Sequence, residues 1–136
     1  GIIHVESGAT LKQINEVIIP AGWFLPVLPG TEAISIGGAV ANDIHGKNHH
    51  RQGTIGVHVL SLELMNGSGE SQRLTPDSEL FKATIGGLGL TGLIVSIQIQ
   101  LVRASCWLNT FNSAIRLYIF NMLCSPVAIP FWKPCS

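Results

Sequence analysis

From Leu93 to Leu101 the apolar residues Leu93, Val95, Ile97, Ile99 and Leu101 alternate with Ser96, Gln98 and Gln100. A period of two marks a strand with one buried and one wet face. Such a strand needs a sheet around it, and the segments before it supply the candidates. Ile2 to Glu6 reads as a strand broken by Gly8. Thr10 is placed to cap a helix with Leu11, Ile14, Val17 and Ile18 on one face, ended by Pro20 and Gly22. Trp23 to Leu28 reads as a short strand closed by Pro29-Gly30-Thr31. Ser35 is placed to cap a short helix. Val57 to Met65, with Leu60, Leu62 and Leu64 on one face, returns through Asn66-Gly67-Ser68-Gly69 to Ser71–Leu74, a hairpin signal. A helix near Ser78 to Ile85 precedes the alternating strand. The order β-α-β-α-β-β-α-β predicts an α+β fold with a mostly antiparallel sheet and flanking helices.

Charge excludes several functions. Eight Lys+Arg balance eight Asp+Glu among 136 residues. Nucleic-acid binding and polybasic membrane attachment both call for a basic excess, so neither is expected. Charged residues make up only 12% and hydrophobic ones 46%, so composition does not predict disorder. So few charges suggest that much of the surface faces a domain, a subunit or a cofactor.

The two ends differ in style. The chain opens at Gly1 directly into an apolar strand, which suggests a piece of a longer chain, and shows no signal-peptide pattern. All fifteen glycines lie at or before Gly92 and all eight acids at or before Glu79, whereas Cys106, Cys124 and Cys135 all follow residue 102. Residues 1–102 are therefore expected to form the folded unit. Residues 103–136 are expected to be an atypical tail, out-of-frame or disordered. Its apolar stretch from Leu117 to Trp132 is about 24 Å long as a helix and is broken by Asn121, Pro126 and Pro130, which makes it a poor membrane span. The cysteine spacings match no metal or redox pair.

Three motifs bear on chemistry. Gly87-x-Gly89-x-x-Gly92 has the letters of a dinucleotide-binding turn, but that mechanism needs a strand before it and a helix after it. Here the order is reversed, leaving a tight turn that either closes the chain alone or also touches a ligand. His45, His49, His50 and His58 lack a metal-ligand pattern, so no metal is expected. Pro29-Gly30-Thr31 and Ser35-Ile36-Gly37-Gly38 are glycine-rich turns leading into a helix, a setting whose free N–H groups suit a pyrophosphate.

Read together, these strings are more specific. Pro29-Gly30-Thr31, Ile36-Gly37-Gly38-Ala39-Val40-Ala41-Asn42-Asp43-Ile44-His45-Gly46-Lys47-Asn48-His49-His50 and Gly53-Thr54-Ile55-Gly56 follow one another in order. Leu74-Thr75-Pro76, Glu79-Leu80-Phe81, Ala83-Thr84-Ile85-Gly86-Gly87 and Gly89-Leu90-Thr91-Gly92 continue the series. Residues 1–102 thereby resemble the PCMH-type FAD-binding domain of the vanillyl-alcohol-oxidase superfamily, as its second subdomain. Asp43 to His50 is similar to the decaprenylphosphoryl-β-D-ribose oxidase group and related FAD-linked aldonolactone and alditol oxidases.

That resemblance implies a section of an oxidoreductase with non-covalent FAD. It implies cofactor contacts from Gly30, Thr31, Ser35, Ile36, Gly37, Gly38, Asn42, Asp43, Ile44, His45 and His49, with Ile94 at the adenine end. It places Lys47 and His45 at the catalytic side, Lys47 toward the substrate. The implied reaction oxidises a sugar hydroxyl to a ketone, with hydride passing to flavin N5. The substrate is a phosphorylated or lactone sugar, and an NADH-dependent reductase is an implied partner. The other function considered is a truncated, non-catalytic folding or interaction module descended from such an oxidase.

Overall fold

The computed structural model describes residues 1–104. Four strands form an antiparallel sheet: β1 (Ile2–Glu6), β3 (Val59–Met65), β4 (Ser71–Leu74) and β5 (Leu93–Gln100), in the order β1-β5-β3-β4. The alternating segment is thus one of two central strands. Two further strands, β2 (Trp23–Phe24) and β6 (Val102–Arg103), pair separately. The helices are α1 (Leu11–Ile18), α2 (Ile36–Ala41), α3 (His49–Gln52) and α4 (Glu79–Thr84). This is the expected α+β arrangement.

Local signals set most boundaries. The Thr10 side chain accepts from the Gln13 amide, and the Gln13 side chain answers to the Thr10 amide, a capping box that starts α1. The hairpin after β3 closes through Asn66 N–H to Glu70 O at 3.0 Å and Gly69 N–H to Asn66 O at 3.1 Å. The apolar face of α1 differs from expectation at one residue. Val17 is exposed and Asn15 is buried instead. At 100° per residue, position 17 lies about 240° around the helix from Leu11, whereas positions 14, 15 and 18 return near it.

Two bulges reset the faces of the sheet. Glu63 pairs with Ser96, but Leu64 pairs with Ile94, so Val95 is an extra residue in β5. Beyond it the core-facing set becomes Ile94 rather than Val95, and Leu93 stands 65% exposed. The second bulge lies at Leu60: Val59 pairs with Ile99 and Ser61 with Gln98. Val59, Leu62 and Leu64 face the core while Leu60 turns outward. Just before β3, Ile55–His58 forms a turn of 3₁₀ helix, so the expected strand starts two residues later than Val57.

The expected strand over Trp23 to Leu28 shrinks to two residues. Pro26 has no N–H for a ladder, and its partner strand β6 is itself two residues long. Leu25, Val27 and Leu28 are nonetheless buried in the one core, with Phe24, Leu11, Ile36, Val40, Ile55, Ile97 and Ile99. β6, together with Ala104 N–H to Gly22 O at 2.9 Å, carries the fold past residue 102, so a boundary there would cut a strand. The three cysteines and the apolar stretch 117–132 lie outside the described residues. Among the described residues no helix is long and apolar enough to cross a membrane.

Candidate functional site

The helix α2 is sewn to the first turn of the fold. Ile36 N–H donates to Ala9 O at 2.8 Å and Gly37 N–H to Ser7 O at 2.9 Å. Gly38 N–H donates to Ser35 Oγ at 3.2 Å and Ala39 N–H to Ser35 O at 2.9 Å. The amides of the first three helical residues, Ile36, Gly37 and Gly38, which a helix start leaves open, are therefore used inside the protein, and Ala39 begins the regular helix ladder. That corrects the expectation of free N–H groups there for a pyrophosphate. The two glycines also differ. A Cβ on Gly37 would lie 2.7 Å from Ser7 Cβ, whereas one on Gly38 would meet only Ser35 Oγ, at 3.1 Å. The room beside Gly37 is filled by Ser7; the room beside Gly38 is open.

At the other end of α2 three segments converge. Asp43 adopts φ 44°, in the left-handed region that Asn and Asp tolerate best. Its Oδ1 accepts from Gly56 N–H at 2.9 Å. The glycine turn after α4 reaches the same place: Gly86 N–H donates to Val40 O at 3.1 Å and Leu88 N–H to Ala41 O at 2.8 Å. A Cβ on Gly86 would sit 3.3 Å from that of Asp43. The turn follows a helix and precedes β5, as the rejection of a dinucleotide motif requires. Leu88 at φ 53° and Gly89 at φ 81° make it tight, and Leu88 and Leu90 are exposed.

Between Asp43 and Gly56 the chain forms a closed loop that contains α3. Ile55 N–H bonds Ile44 O at 2.9 Å, and His45 and Thr54 face each other in a bridge. His45, Lys47, His49, His50 and Arg51 are all exposed along it. The His45 and His49 rings meet edge-on at 5.5 Å, and those of His49 and His50 at 6.1 Å. Between Ala33 and Leu62 Asp43 is the sole acid, and it is turned inward. The exposed groups are thus cations and hydrogen-bonding rings, a set that suits an anionic organic group.

The structure sorts the expected cofactor residues into two kinds. Gly30, Thr31, Asn42, His45 and His49 are exposed, and Ser35, Gly38, Asp43 and Ile44 are half-buried. Ile36 and Gly37 are buried, and the Ile94 side chain, 6% exposed, packs in the core. Only the main chain of those three can face a ligand. Asn42 donates its Nδ2 to Gly38 O at 2.9 Å. Gly38, Asn42–His45 and the turn at Gly86 are brought together by the bonds above, whereas Gly30–Thr31 joins the N-terminus of α1 through Lys12 N–H to Glu32 O. Two surface hollows, one between β1 and α1 and one over the wet face of the sheet, are lined by none of these residues. No signal in the sequence marks Ser7 as filling the space at Gly37 or Asn48 as buried.

Residues 1–75 match the family described as FAD binding domain. This chain belongs to that family. The FAD binding domain has several relatives. Decaprenylphosphoryl-beta-D-ribose oxidase of Mycolicibacterium smegmatis is 48% identical over 103 residues, 74% of this chain and 22% of the relative. Delta(24)-sterol reductase of Homo sapiens is 30% identical over 85% of this chain and 23% of its own length. D-arabinono-1,4-lactone oxidase of Saccharomyces cerevisiae is 31% identical over 74% of this chain and 19% of its length. The chain therefore spans about a fifth of the length of these relatives. The exposed cations and rings of the 43–56 loop and the open space at Gly38 are chemically suited to FAD, while the Ile36, Gly37 and Gly38 amides already have partners within the protein.

Proposed function

We propose that this chain is a section of an FAD-dependent oxidoreductase that oxidises a hydroxyl of a phosphorylated sugar to a ketone. The observation that carries this is the loop from Asp43 to Gly56. It presents His45, Lys47 and His49 outward while its one acid is bound inward. Gly30, Thr31, Ser35, Gly38, Asn42, Asp43, Ile44, His45 and His49 would line the cofactor, with Ile36, Gly37 and Ile94 contributing main chain only. FAD, held without a covalent bond, supplies the hydride acceptor for such an oxidation.

The residues of this chain do the rest by position and charge. The Lys47 ammonium places a cation where negative charge develops or where a substrate phosphate docks. His45, exposed and edge-on to His49, offers a ring nitrogen from the same loop. The likeness to decaprenylphosphoryl-beta-D-ribose oxidase supports a prenylphosphoryl pentose as substrate, and the likeness to D-arabinono-1,4-lactone oxidase makes a sugar lactone the other class. A separate NADH-dependent reductase would consume the ketone.

The test is Lys47→Ala in the full-length protein that carries this segment, assayed with decaprenylphosphoryl-β-D-ribose. Turnover is expected to fall about 10²–10³-fold, the loss typical of one preorganised charge-stabilising donor. Flavin absorbance per protein should stay at the wild-type level. Wild-type turnover at full flavin content would reject the assignment.

A further inference from the structure

Asn48 lies between two exposed residues, Lys47 and His49, yet is itself only 1% exposed. It occupies the N-cap of α3, where an Asn side chain ordinarily accepts a helix amide. Here it makes no cap bond. It turns inward instead, and its Nδ2 donates to Pro26 O at 3.1 Å, a bond buried from solvent. Gly46 fits the same seat from the other side. A Cβ there would come 2.7 Å from Leu28 O and 2.8 Å from Asn48 Oδ1. The loop is therefore pressed onto the buried 26–28 segment by one side chain and by the lack of another.

This seating has a cost. Among the described residues no hydrogen-bond partner reaches the buried Asn48 Oδ1. An apolar side chain could fill this space, but only an amide can also satisfy the buried Pro26 carbonyl, so the seat is specific to Asn48. We infer that Asn48 is a positioning residue: by holding Pro26 O it fixes the main chain on both sides of itself, and so sets where Lys47 and His49 stand. The inference rests on the role proposed for Lys47 above. Asn48 touches neither substrate nor cofactor; it acts through its neighbours.

The experiment is a double-mutant cycle on the full-length protein, with Lys47→Ala, Asn48→Ala and both together. The readout is kcat/KM for decaprenylphosphoryl-β-D-ribose, normalised to flavin content. Asn48→Ala alone is expected to lower it about tenfold or more, since small misplacements at a site are costly. In the Lys47→Ala background the same change should lower it less than about twofold, because residues acting as a unit are not additive. Equal factors in the two backgrounds would show a merely structural residue and overturn the inference, as would full activity of Asn48→Ala. If Lys47→Ala alone has no effect, the functional reading fails first and this one with it. Should Asn48→Ala not fold, Asn48→Ser runs the same cycle. Its hydroxyl is too short to reach Pro26 directly but leaves room for a bridging water.

Discussion

The two adjacent glycines of α2 should respond oppositely to the same substitution. Gly37→Ala puts a methyl 2.7 Å from Ser7 Cβ and 3.0 Å from Ser7 O. Neither atom is the loose end of a side chain. Ser7 cannot retreat, because its own N–H is bonded to Val95 O at 2.9 Å while its carbonyl accepts from Gly37. Helix and turn must therefore separate. Overpacking costs about 1–3 kcal/mol and the strained Ser7–Gly37 hydrogen bond about 1 kcal/mol. The gain from Ala over Gly in a helix returns about 1 kcal/mol. The net loss is about 1–3 kcal/mol. Gly38→Ala meets only Ser35 Oγ at 3.1 Å, so helix propensity dominates and stability should be unchanged or higher by up to about 1 kcal/mol. Urea denaturation of the chain, followed by far-UV circular dichroism, separates the two. With slopes of about 1–3 kcal/mol/M, Gly37→Ala should move the midpoint down by about 0.3–3 M. A Gly37→Ala midpoint at or above that of Gly38→Ala would refute the account of α2 packing.

Three further outcomes are expected. In the full-length protein, Gly38→Val should lower flavin absorbance per protein while leaving the circular dichroism of the fold intact; unchanged flavin would place the cofactor elsewhere. Asp43→Ala should destabilise the chain by about 2–4 kcal/mol, from a lost charged hydrogen bond and a left-handed residue made less tolerable, whereas Asp43→Asn should cost under about 1 kcal/mol; equal midpoints for the two would contradict that division. Ending the chain after Ala104 should keep its denaturation midpoint, and ending it after Leu101 should lower it, because β6 and the Arg103 guanidinium 5.4 Å over the Trp23 ring are lost; equal midpoints would show that β6 contributes nothing.

What the sequence reveals here is what neighbours in the chain decide. The start of α1 is legible because Thr10 and Gln13 satisfy each other locally, and the hairpin at Asn66–Gly69 because turn residues bond their own backbone. The bulges at Leu60 and Val95 are not legible. A one-residue slip flips every side chain beyond it, and both slips are set by how β3 and β5 fit one another. The site divides the same way. The run of exposed His and Lys is visible as a polar, glycine-bounded stretch. Gly37 and Gly38 are the same letter, and only the path of Ser7 across one of them tells them apart. Asn48 reads as one more polar loop residue, because its partner, Pro26, lies in a segment that pattern alone assigns to a strand.

Asp43 shows why the site holds together with so few charges. A carboxylate beside a cofactor pyrophosphate would repel it, yet this one sits in the middle of the candidate surface. Its Oδ1 is held by the Gly56 amide, and its backbone is held left-handed between α2 and the turn at Gly86. The acid thus ties the far end of the loop back to its start, so that the loop closes as a unit. Asp43 thus works as a clasp at the base of the loop, beside the exposed His45, Lys47 and His49.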